Sequence, residues 1–415
     1  MKAELISIGD ELLVGQVVNT NASWLAFELN REGIEVTRIM AIADNRDEIL
    51  KTLDDAASRA DVVLITGGLG PTRDDITKHT LCGYFGSKLV FHQPSYDNIE
   101  RLFSSRGFPI REVNRMQAEI PDNCIPISNP NGTAPGMWFE KNGVIFVSMP
   151  GVPFEMQPMV ADFVLPALAK RRKGAHIMHK TVMTQGIGES FLAEIIKDWE
   201  DNLPMHFKLA YLPQPGMVRL RITGRGPEVK ILEEELKQLT SELVALIPEY
   251  VFGYDDERPE EVLGKLLKEQ NLTMATAESC TGGYIAHLIT SIPGSSAYFT
   301  GSVVAYSNAI KMKVLGVREE TLIAHGAVSG ETVTEMAEGV RQKFGTDYAI
   351  AVSGIAGPDG GTETKPVGTT WIAIAGPEGT SANKFIFGKN RERNIRLAAL
   401  MALGKLRLQI LNDKI

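Results

Sequence analysis

A short apolar run that ends in a polar, glycine-bearing turn is the feature that most constrains this chain. Residues 272–277 form the run, and the turn reads ESCTGG at 278–283. After the turn, apolar side chains recur at the spacing of one helix face. A buried strand that bends into a helix leaves the first helical N–H groups unpaired and pointing into the bend. Ser279 lies in this bend, where a hydroxyl is either an N-cap or a nucleophile with oxyanion donors behind it.

Length and composition limit the class of protein. A chain of 415 residues predicts two or three domains. The net charge of −8 and the acidic pI argue against nucleic acid as a partner, because nucleic-acid proteins usually carry a basic patch. The three cysteines lack the spacing of a zinc site or a disulfide framework, which is typical of a reducing compartment. The chain shows no apolar leader and no stretch of membrane-spanning length, so we expect a cytoplasmic protein without membrane contact.

Strands and helices alternate in the first part of the chain. The predicted strands cover residues 4–8, 36–43 and 61–66, and the predicted helices cover residues 21–30 and 47–60. Continuous apolar strands between helices indicate a parallel sheet that is covered on both faces. Such sheets bind ligands at the carboxyl ends of their strands.

Two polar loops follow strands of this predicted sheet. The loop GGLGPTRDDIT at 67–77 combines glycines, which allow close approach to a ligand, with a helix N-terminus that favours an anion. The loop GDE at 9–11 places carboxylates at the same edge. Carboxylates beside a phosphate cradle suggest a bridging divalent metal, with Asp10, Asp74 and Asp75 as candidate ligands. A loop residue or a helix cap is the alternative role for Asp10.

The last third of the chain repeats this organisation. Predicted strands at 302–306 and 348–352 also end in polar loops, so their ends converge near Ser279. A serine needs a base, and a lysine can be that base when burial lowers its pKa. Lys311 suits this role, with Tyr306 as a proton relay and the backbone N–H groups of Cys280 and Thr281 as oxyanion donors. The plainer alternatives are a capping serine, an exposed first-turn lysine and a tyrosine that ends a strand.

Long motifs in both parts of the chain resemble the CinA (competence/damage-inducible) family. In the first part these are GDE at 9–11, GGLGPTRDD at 67–75, NPNGTAPG at 129–136 and MPGVPFEM at 149–156. In the last part these are AESCTGG at 277–283, PGSS at 293–296, YSN at 306–308, GAVS at 326–329, SGIAGP at 353–358 and KPVGT at 365–369.

The resemblance implies a doubly wound α/β, molybdopterin-binding-like domain over residues 1–168. In the family this domain is associated with metal-dependent ADP-ribose pyrophosphatase activity. The ligand cradle would then comprise Gly67, Gly68, Gly70, Asp75 and Gly151. The divalent metal ion would be held by Asp10 with Asp74 or Asp75.

The sequence pattern of residues 175–250 predicts a small α+β module, which is similar to the KH-like connector of CinA proteins. KH domains hold nucleic acid on a Gly-x-x-Gly loop flanked by basic residues. The loop GIGE at 186–189 has different spacing and an acidic residue. A spacer or a dimerisation element is therefore the favoured role.

For residues 258–415 the resemblance implies an α/β nicotinamide mononucleotide deamidase domain, which needs no cofactor. Its nucleophile would be Ser279 and its base Lys311, assisted by Tyr306. The substrate would contact a further set of residues, namely Cys280, Thr281, Gly282, Ser296, Ser353, Gly354 and Gly357. An arginine near the last helix would hold the phosphate, with Arg391 preferred and Arg393 or Arg396 as alternatives.

Together these expectations describe a two-activity enzyme of pyridine-nucleotide recycling that acts on nicotinamide mononucleotide and ADP-ribose. The alternative is a non-catalytic nucleotide sensor linked to competence or DNA damage. A homodimer is expected because two-fold dimers are the commonest oligomers.

Overall fold

The computed structural model describes residues 1–72, 75–105, 107–171 and 176–413. The chain separates into two compact units: Met1–Met178 with Gly224–Glu233, and His179–Thr223 with Glu234–Ile415. Both units are mixed α/β, as the sequence predicted.

The elements of the first unit alternate as expected for an α/β fold. In chain order they are β1 Lys2–Ile8, α1 Asp10–Leu13, α2 Thr20–Arg31, β2 Glu35–Ile42, α3 Arg46–Ala57, β3 Val62–Thr66, α4 Thr77–Tyr84, β4 Leu89–Phe91, α5 Gln93–Ser105, α6 Glu112–Met116, β5 Glu119–Pro121, β6 Ile125–Ile127, β7 Gly136–Lys141, β8 Val144–Met149, α7 Pro153–Met159, a π-helical turn Val160–Val164 and α8 Leu165–Arg171.

The main sheet of this unit has the strand order β2-β1-β3-β8-β7-β6. Strands β2, β1, β3 and β8 run parallel, and β7 and β6 are antiparallel additions at one side. Leu5 and Leu64 pack into one core and Ile6 and Ile65 into another, so both faces of the sheet are buried. The carboxyl ends of β1, β3 and β8 therefore open at one shared edge.

The rest of the chain, which lies mostly in the second unit but includes residues 176–178 and 224–233 of the first, forms two further sheets. Its elements are β9 His176–Gln185, α9 Glu189–Asp201, β10 Phe207–Gln214, β11 Met217–Gly226, α10 Val229–Leu246, β12 Val251–Tyr254, α11 Pro259–Glu269, β13 Met274–Glu278, α12 Tyr284–Thr290, a 3-10 turn Ser295–Ala297, β14 Phe299–Val304, α13 Asn308–Leu315, α14 Glu319–His325, α15 Gly330–Phe344, β15 Tyr348–Gly354, β16 Thr369–Gly376, β17 Gly379–Ile386 and α16 Arg391–Asn412.

The larger of these sheets has the order β14-β13-β15-β16-β17, and the smaller has the order β10-β11-β9-β12. Strands β14, β13 and β15 are parallel, with Glu278 opposite both Val304 and Val352. Alanines such as Ala349 and Ala351 cover one face, where α15 packs, and larger side chains cover the other. The ends of the three parallel strands converge, as the sequence predicted.

Some predicted boundaries were wrong. Strand β14 begins and ends earlier than residues 302–306, so Ala305 and Tyr306 belong to the loop after it. The polar, basic composition of residues 167–174 predicts a connector between domains, but α8 continues to Arg171 and so includes the first part of this stretch. Strand β17 was missed, because its side chains are largely exposed and lack an apolar pattern.

Candidate functional site

Ser279 lies immediately after the fully buried strand β13. Its N–H donates to Val352 O at 2.9 Å, and its side chain is buried. The chain then turns through Gly282 and Gly283, whose φ angles of 61° and 97° are in the left-handed region that favours glycine. Because the turn takes four residues, α12 starts at Tyr284 rather than directly behind Ser279.

The first N–H groups of α12 are satisfied by Glu278. This carboxylate is 0% exposed and accepts from Gly283 N at 3.0 Å, Ile285 N at 3.1 Å and Ala286 N at 2.8 Å. The helix terminus is thus closed to other anions, contrary to the expectation that it would supply the oxyanion donors. Glu278 was not among the predicted site residues, although a carboxylate at the end of an apolar strand was a usable signal.

Two backbone donors in the turn stay free. The N–H groups of Cys280 and Thr281 donate to no backbone or side-chain oxygen in the part of the chain that the structure describes. The Thr281 hydroxyl is also buried without a hydrogen-bond partner there. Buried donors of this kind usually have a partner, so the turn has unfilled capacity for an acceptor.

Lys311 and Ser279 are in direct contact. The Lys311 ammonium donates to Ser279 Oγ at 3.0 Å and to Ala305 O at 2.7 Å. The Lys311 side chain is 1% exposed, so it is not the exposed first-turn lysine of the plainer alternative. Ser307 caps α13 by accepting from Ile310 N, which fixes the helix that carries Lys311.

Burial shifts the pKa of the two reactive groups beside Ser279, the Lys311 amine and the Cys280 thiol. It lowers the pKa of Lys311, because the charged ammonium is desolvated, and this shift is opposed by Cys280. Burial also raises the pKa of the Cys280 thiol to about 12. The thiol is therefore protonated at neutral pH, and Ser279 is the better candidate for the nucleophile.

Arg391 lies at the start of α16 and contacts two neighbouring loops. Its guanidinium donates to Gly357 O at 2.7 Å and to Tyr306 Oη at 3.1 Å. The positive charge of Arg391 also acts on the Cys280 thiol by lowering its pKa, which places the arginine near the turn. The backbone N–H of Arg393 donates to the side chain of Asn390, which caps α16.

Tyr306 does not occupy the predicted relay position. Its side chain is 62% exposed, and its hydroxyl accepts from Arg391. No hydrogen bond joins it to Ser279 or Lys311 among the described residues.

Ser296 lies at the amino ends of the parallel strands, on the side of the sheet away from Ser279. This is contrary to the expectation that it lines the pocket. It belongs to the turn before β14, where Met274 N donates to Tyr298 O at 2.7 Å. This turn therefore lies beside the first residue of β13, whereas Ser279 follows the last. Five strand residues separate these ends by about 16 Å.

Ser353 and Gly354 end β15 near the converging strand ends. The Ser353 hydroxyl donates to Ala327 O at 2.6 Å, so it braces the 326–329 loop. A Cβ at Gly354 would lie 2.7 Å from Thr370 Oγ1, which explains the glycine by packing.

A second candidate site lies in the first unit. A cavity of about 630 Å³ opens at the carboxyl ends of β1, β3 and β8. All five residues predicted for the N-terminal ligand cradle line it, namely Gly67, Gly68, Gly70, Asp75 and Gly151.

The predicted metal ligands are only partly at this cavity. Asp75 lines it and accepts from Thr72 N at 2.9 Å. Asp10 instead accepts from Asp44 N at 3.3 Å and is not one of the lining residues. Asp74 lies outside the described residues. No group of three or more histidine, cysteine or carboxylate side chains suited to a metal occurs among the residues that are described.

The charges at the cavity nevertheless favour a cation. Its charged lining residues are carboxylates, Glu11, Asp44, Asp75 and Glu155, and the described lining includes no lysine, arginine or histidine. Burial raises the pKa of Asp44, and the nearby carboxylates of Asp10, Glu11 and Asp75 add to this shift. The side-chain oxygen of Asn21 is buried there without a partner. Hard oxygen donors of this kind fit a divalent cation that is also bound by phosphates.

The fold and the two sites define a multidomain α/β protein with a buried serine–lysine pair. Family models match three consecutive segments: the "Probable molybdopterin binding domain" at residues 4–170, the "Damage-inducible protein CinA KH domain" at 179–253, and the "CinA C-terminal domain" at 256–410. The chain is 49% identical to the CinA-like protein of Cytophaga hutchinsonii over 98% of both chains. It is 46% identical to the CinA-like protein of Flavobacterium psychrophilum over 100% of this chain and 99% of the relative. This chain belongs to the CinA family.

Solved structures match part of the chain. A CinA superfamily protein from Klebsiella pneumoniae is 33% identical, covers 38% of this chain and 99% of its own, and has a TM-score of 0.36. The protein CinA from Thermoplasma acidophilum is 33% identical over 40% of this chain and 97% of its own, with a TM-score of 0.37. Within the described residues, none of the helices has the length and apolar character needed to cross a membrane.

Proposed function

We propose that the C-terminal domain is an amidohydrolase that converts nicotinamide mononucleotide to nicotinic acid mononucleotide and ammonia. The observation that carries the proposal is the 3.0 Å contact between Lys311 Nζ and Ser279 Oγ. Burial lowers the pKa of Lys311 and so favours the neutral amine, which is the form that acts as a base. In that form the same contact lets the Ser279 hydroxyl donate to the amine lone pair.

The first half-reaction forms an acyl-enzyme. Ser279 Oγ attacks the carboxamide carbon while its proton passes to Lys311 Nζ. The negative charge that develops on the carbonyl oxygen is stabilised by the free N–H groups of Cys280 and Thr281. Lys311 then returns the proton to the leaving nitrogen, the C–N bond breaks and ammonia departs.

The second half-reaction consumes water. Lys311 takes a proton from water as the water oxygen attacks the acyl carbon. The N–H groups of Cys280 and Thr281 stabilise the second oxyanion as well. The bond to Ser279 Oγ breaks, the hydroxyl regains its proton and the carboxylate product is released. This sequence needs no metal ion.

Arg391 would hold the phosphate of the mononucleotide. Gly357 O and Tyr306 Oη orient its guanidinium while leaving donors for a phosphate, which arginine binds well. In this proposal Tyr306 positions Arg391 instead of relaying a proton to Lys311.

The deciding experiment is ammonia release from nicotinamide mononucleotide by the full chain and by Ser279→Ala. Loss of ammonia release in a folded variant supports the covalent mechanism. An active Ser279→Ala variant, or a wild type that binds the mononucleotide without releasing ammonia, favours the sensor alternative.

The first unit supports a second proposed activity, a metal-dependent hydrolysis of ADP-ribose to AMP and ribose 5-phosphate. The supporting observation is the acidic cavity bordered by the glycine-rich loop at 67–70. Asp75 would hold the divalent cation together with Asp44, and the cation would neutralise charge on the pyrophosphate. Asp75→Asn should abolish AMP release, whereas the exposed Asp97→Asn should retain it. Unchanged AMP release after chelation would contradict the metal requirement.

A further inference from the structure

A separate cavity lies in the second unit, beside the last helix. It has a volume of about 250 Å³. The lining residues come from α16, β17, the end of β9 and the loop before β12. They are Gln185, Gly186, Glu249, Tyr250, Phe385, Met401, Gly404, Lys405, Arg407 and Leu408.

The walls of this cavity are held by specific contacts. Gln185 Nε2 donates to Leu400 O at 2.5 Å, and Gln185 N donates to Tyr250 O at 2.9 Å. A Cβ at Gly404 would lie 2.4 Å from Gln185 Oε1, so this glycine within α16 allows the close approach. The cavity is therefore a built feature of the packing between β9 and α16.

Arg407 contributes a guanidinium without a counter-ion. Its Nη2 donates to Val251 O at 2.8 Å, while its Nε is buried without a hydrogen-bond partner. In the described ranges, no carboxylate forms an ion pair with either Arg407 or Lys405. Burial lowers the pKa of Arg407, with no acidic neighbour that opposes the shift. A partly buried cation with a buried, unpartnered nitrogen is stabilised by an anionic partner.

Charge and shape together restrict the ligand. The charged lining residues are two cations and the exposed Glu249, which leaves one net positive charge. Tyr250, Phe385, Met401 and Leu408 supply an apolar wall. The volume is below the roughly 300–1,000 Å³ of sites for larger ligands, which favours a ligand smaller than a nucleotide.

We propose that this cavity binds a small aromatic monocarboxylate, with the carboxylate on the Arg407 guanidinium and the ring against Tyr250 and Phe385. The negative charge of one such ligand neutralises the net positive charge of the cavity lining, and the ring of the ligand covers the apolar wall. The proposal does not depend on the chemistry at Ser279.

Calorimetric titration of the full chain with benzoate tests the proposal, with benzamide as the neutral probe of the same shape. Benzoate should bind, and benzamide should bind at least about tenfold more weakly, because only benzoate carries the charge. Arg407→Met should weaken benzoate binding by a similar factor. Arg341→Met is the matched control, since Arg341 also donates to a backbone carbonyl but lies outside this cavity.

A second variant covers the case in which Arg407→Met fails to fold. Met401→Trp fills the cavity while keeping Arg407, and it should also lose benzoate binding. Absence of benzoate binding to wild type overturns the proposal. So does equal affinity for benzoate and benzamide, or benzoate binding that survives in a folded Met401→Trp variant.

Discussion

The Lys311 amine and the Ser279 hydroxyl lie 3.0 Å apart although 32 residues separate them in the chain. Strand β13 delivers the serine and the N-terminal part of α13 delivers the lysine. Ala305 O accepts a second hydrogen bond from Lys311, which holds the lysine nitrogen within hydrogen-bonding distance of Ser279 Oγ. Both side chains are buried, so the lysine acts in an environment that disfavours its charged form.

Ser279→Ala should lower kcat for ammonia release by at least about a thousandfold, because no other hydroxyl replaces the nucleophile. The control is Ser291→Ala at the end of α12, whose hydroxyl donates only to Leu288 O. Single-turnover kinetics should detect a covalent acyl-enzyme in wild type and none in Ser279→Ala. A covalent adduct on another residue would contradict the assignment.

Lys311 should make both activity and stability depend on pH. The folded-state pKa is lowered by burial, so above that pKa the unfolded chain binds more protons until about pH 10.4. The free energy of unfolding should therefore rise with pH in this window, and the contribution is lost as pH falls through the folded-state pKa. Urea titrations of wild type and Lys311→Met should show the rise in wild type only.

The kinetics of the same lysine give an independent check. The kcat/KM of wild type should increase as the pH rises through the pKa of the Lys311 amine, because the neutral amine is the base. Lys311→Arg should be inactive throughout, since a guanidinium stays protonated. An active Lys311→Arg variant would assign the base elsewhere.

Glu278→Gln should disturb the turn behind Ser279. The amide keeps the size of the carboxylate but presents an NH₂ group to at least one of the three N–H donors now satisfied by Glu278. We expect a loss of about 1–3 kcal/mol in the free energy of unfolding. We also expect kcat to fall more than KM rises. Glu261→Gln on the surface of α11 is the control, and equal effects of both substitutions would rule out a special role for Glu278.

Arg391→Met should raise KM for nicotinamide mononucleotide by about 10- to 100-fold, the range for loss of a charge-assisted contact. Nicotinamide riboside, which lacks the phosphate, should be processed equally by variant and wild type. Arg393→Met and Arg396→Met should leave KM for the mononucleotide unchanged. If one of them raises KM instead, that arginine binds the phosphate.

Gly67→Ala tests the first unit separately. A Cβ there would lie 2.1 Å from Ile8 O, at a φ of 106°. We expect loss of ADP-ribose hydrolysis with retained ammonia release, because the strain of about 1–3 kcal/mol falls on the cavity loop. Gly86→Ala shares a positive φ but meets no atom within 4 Å, so it should retain both activities. Retained ADP-ribose hydrolysis in Gly67→Ala would show that the conformation of this loop is not required for the activity.

The fold class was predictable because its signals are local. Apolar runs such as residues 62–66, bounded by glycine and followed by helical stripes, indicate buried parallel strands wherever they occur. The loop that begins at Gly67 was predictable for a related reason, since strand ends in a parallel sheet meet on the same side. The roles of Gly151 and Ser296 came from the family resemblance, and Ser296 does not fit because it precedes its strand and therefore lies at the amino ends of the strands.

The sequence by itself determined which side chains end strands β13 and β15 and which residue types could act there. The tertiary structure alone decided that Lys311 is buried, that Glu278 closes the helix terminus, that Tyr306 pairs with Arg391 and that Arg407 lines a cavity without forming an ion pair with any described carboxylate. The physical reason is that periodicity encodes the direction of a side chain relative to its own element. Desolvation and pairing depend on elements that are far apart in the chain and meet only in the folded state.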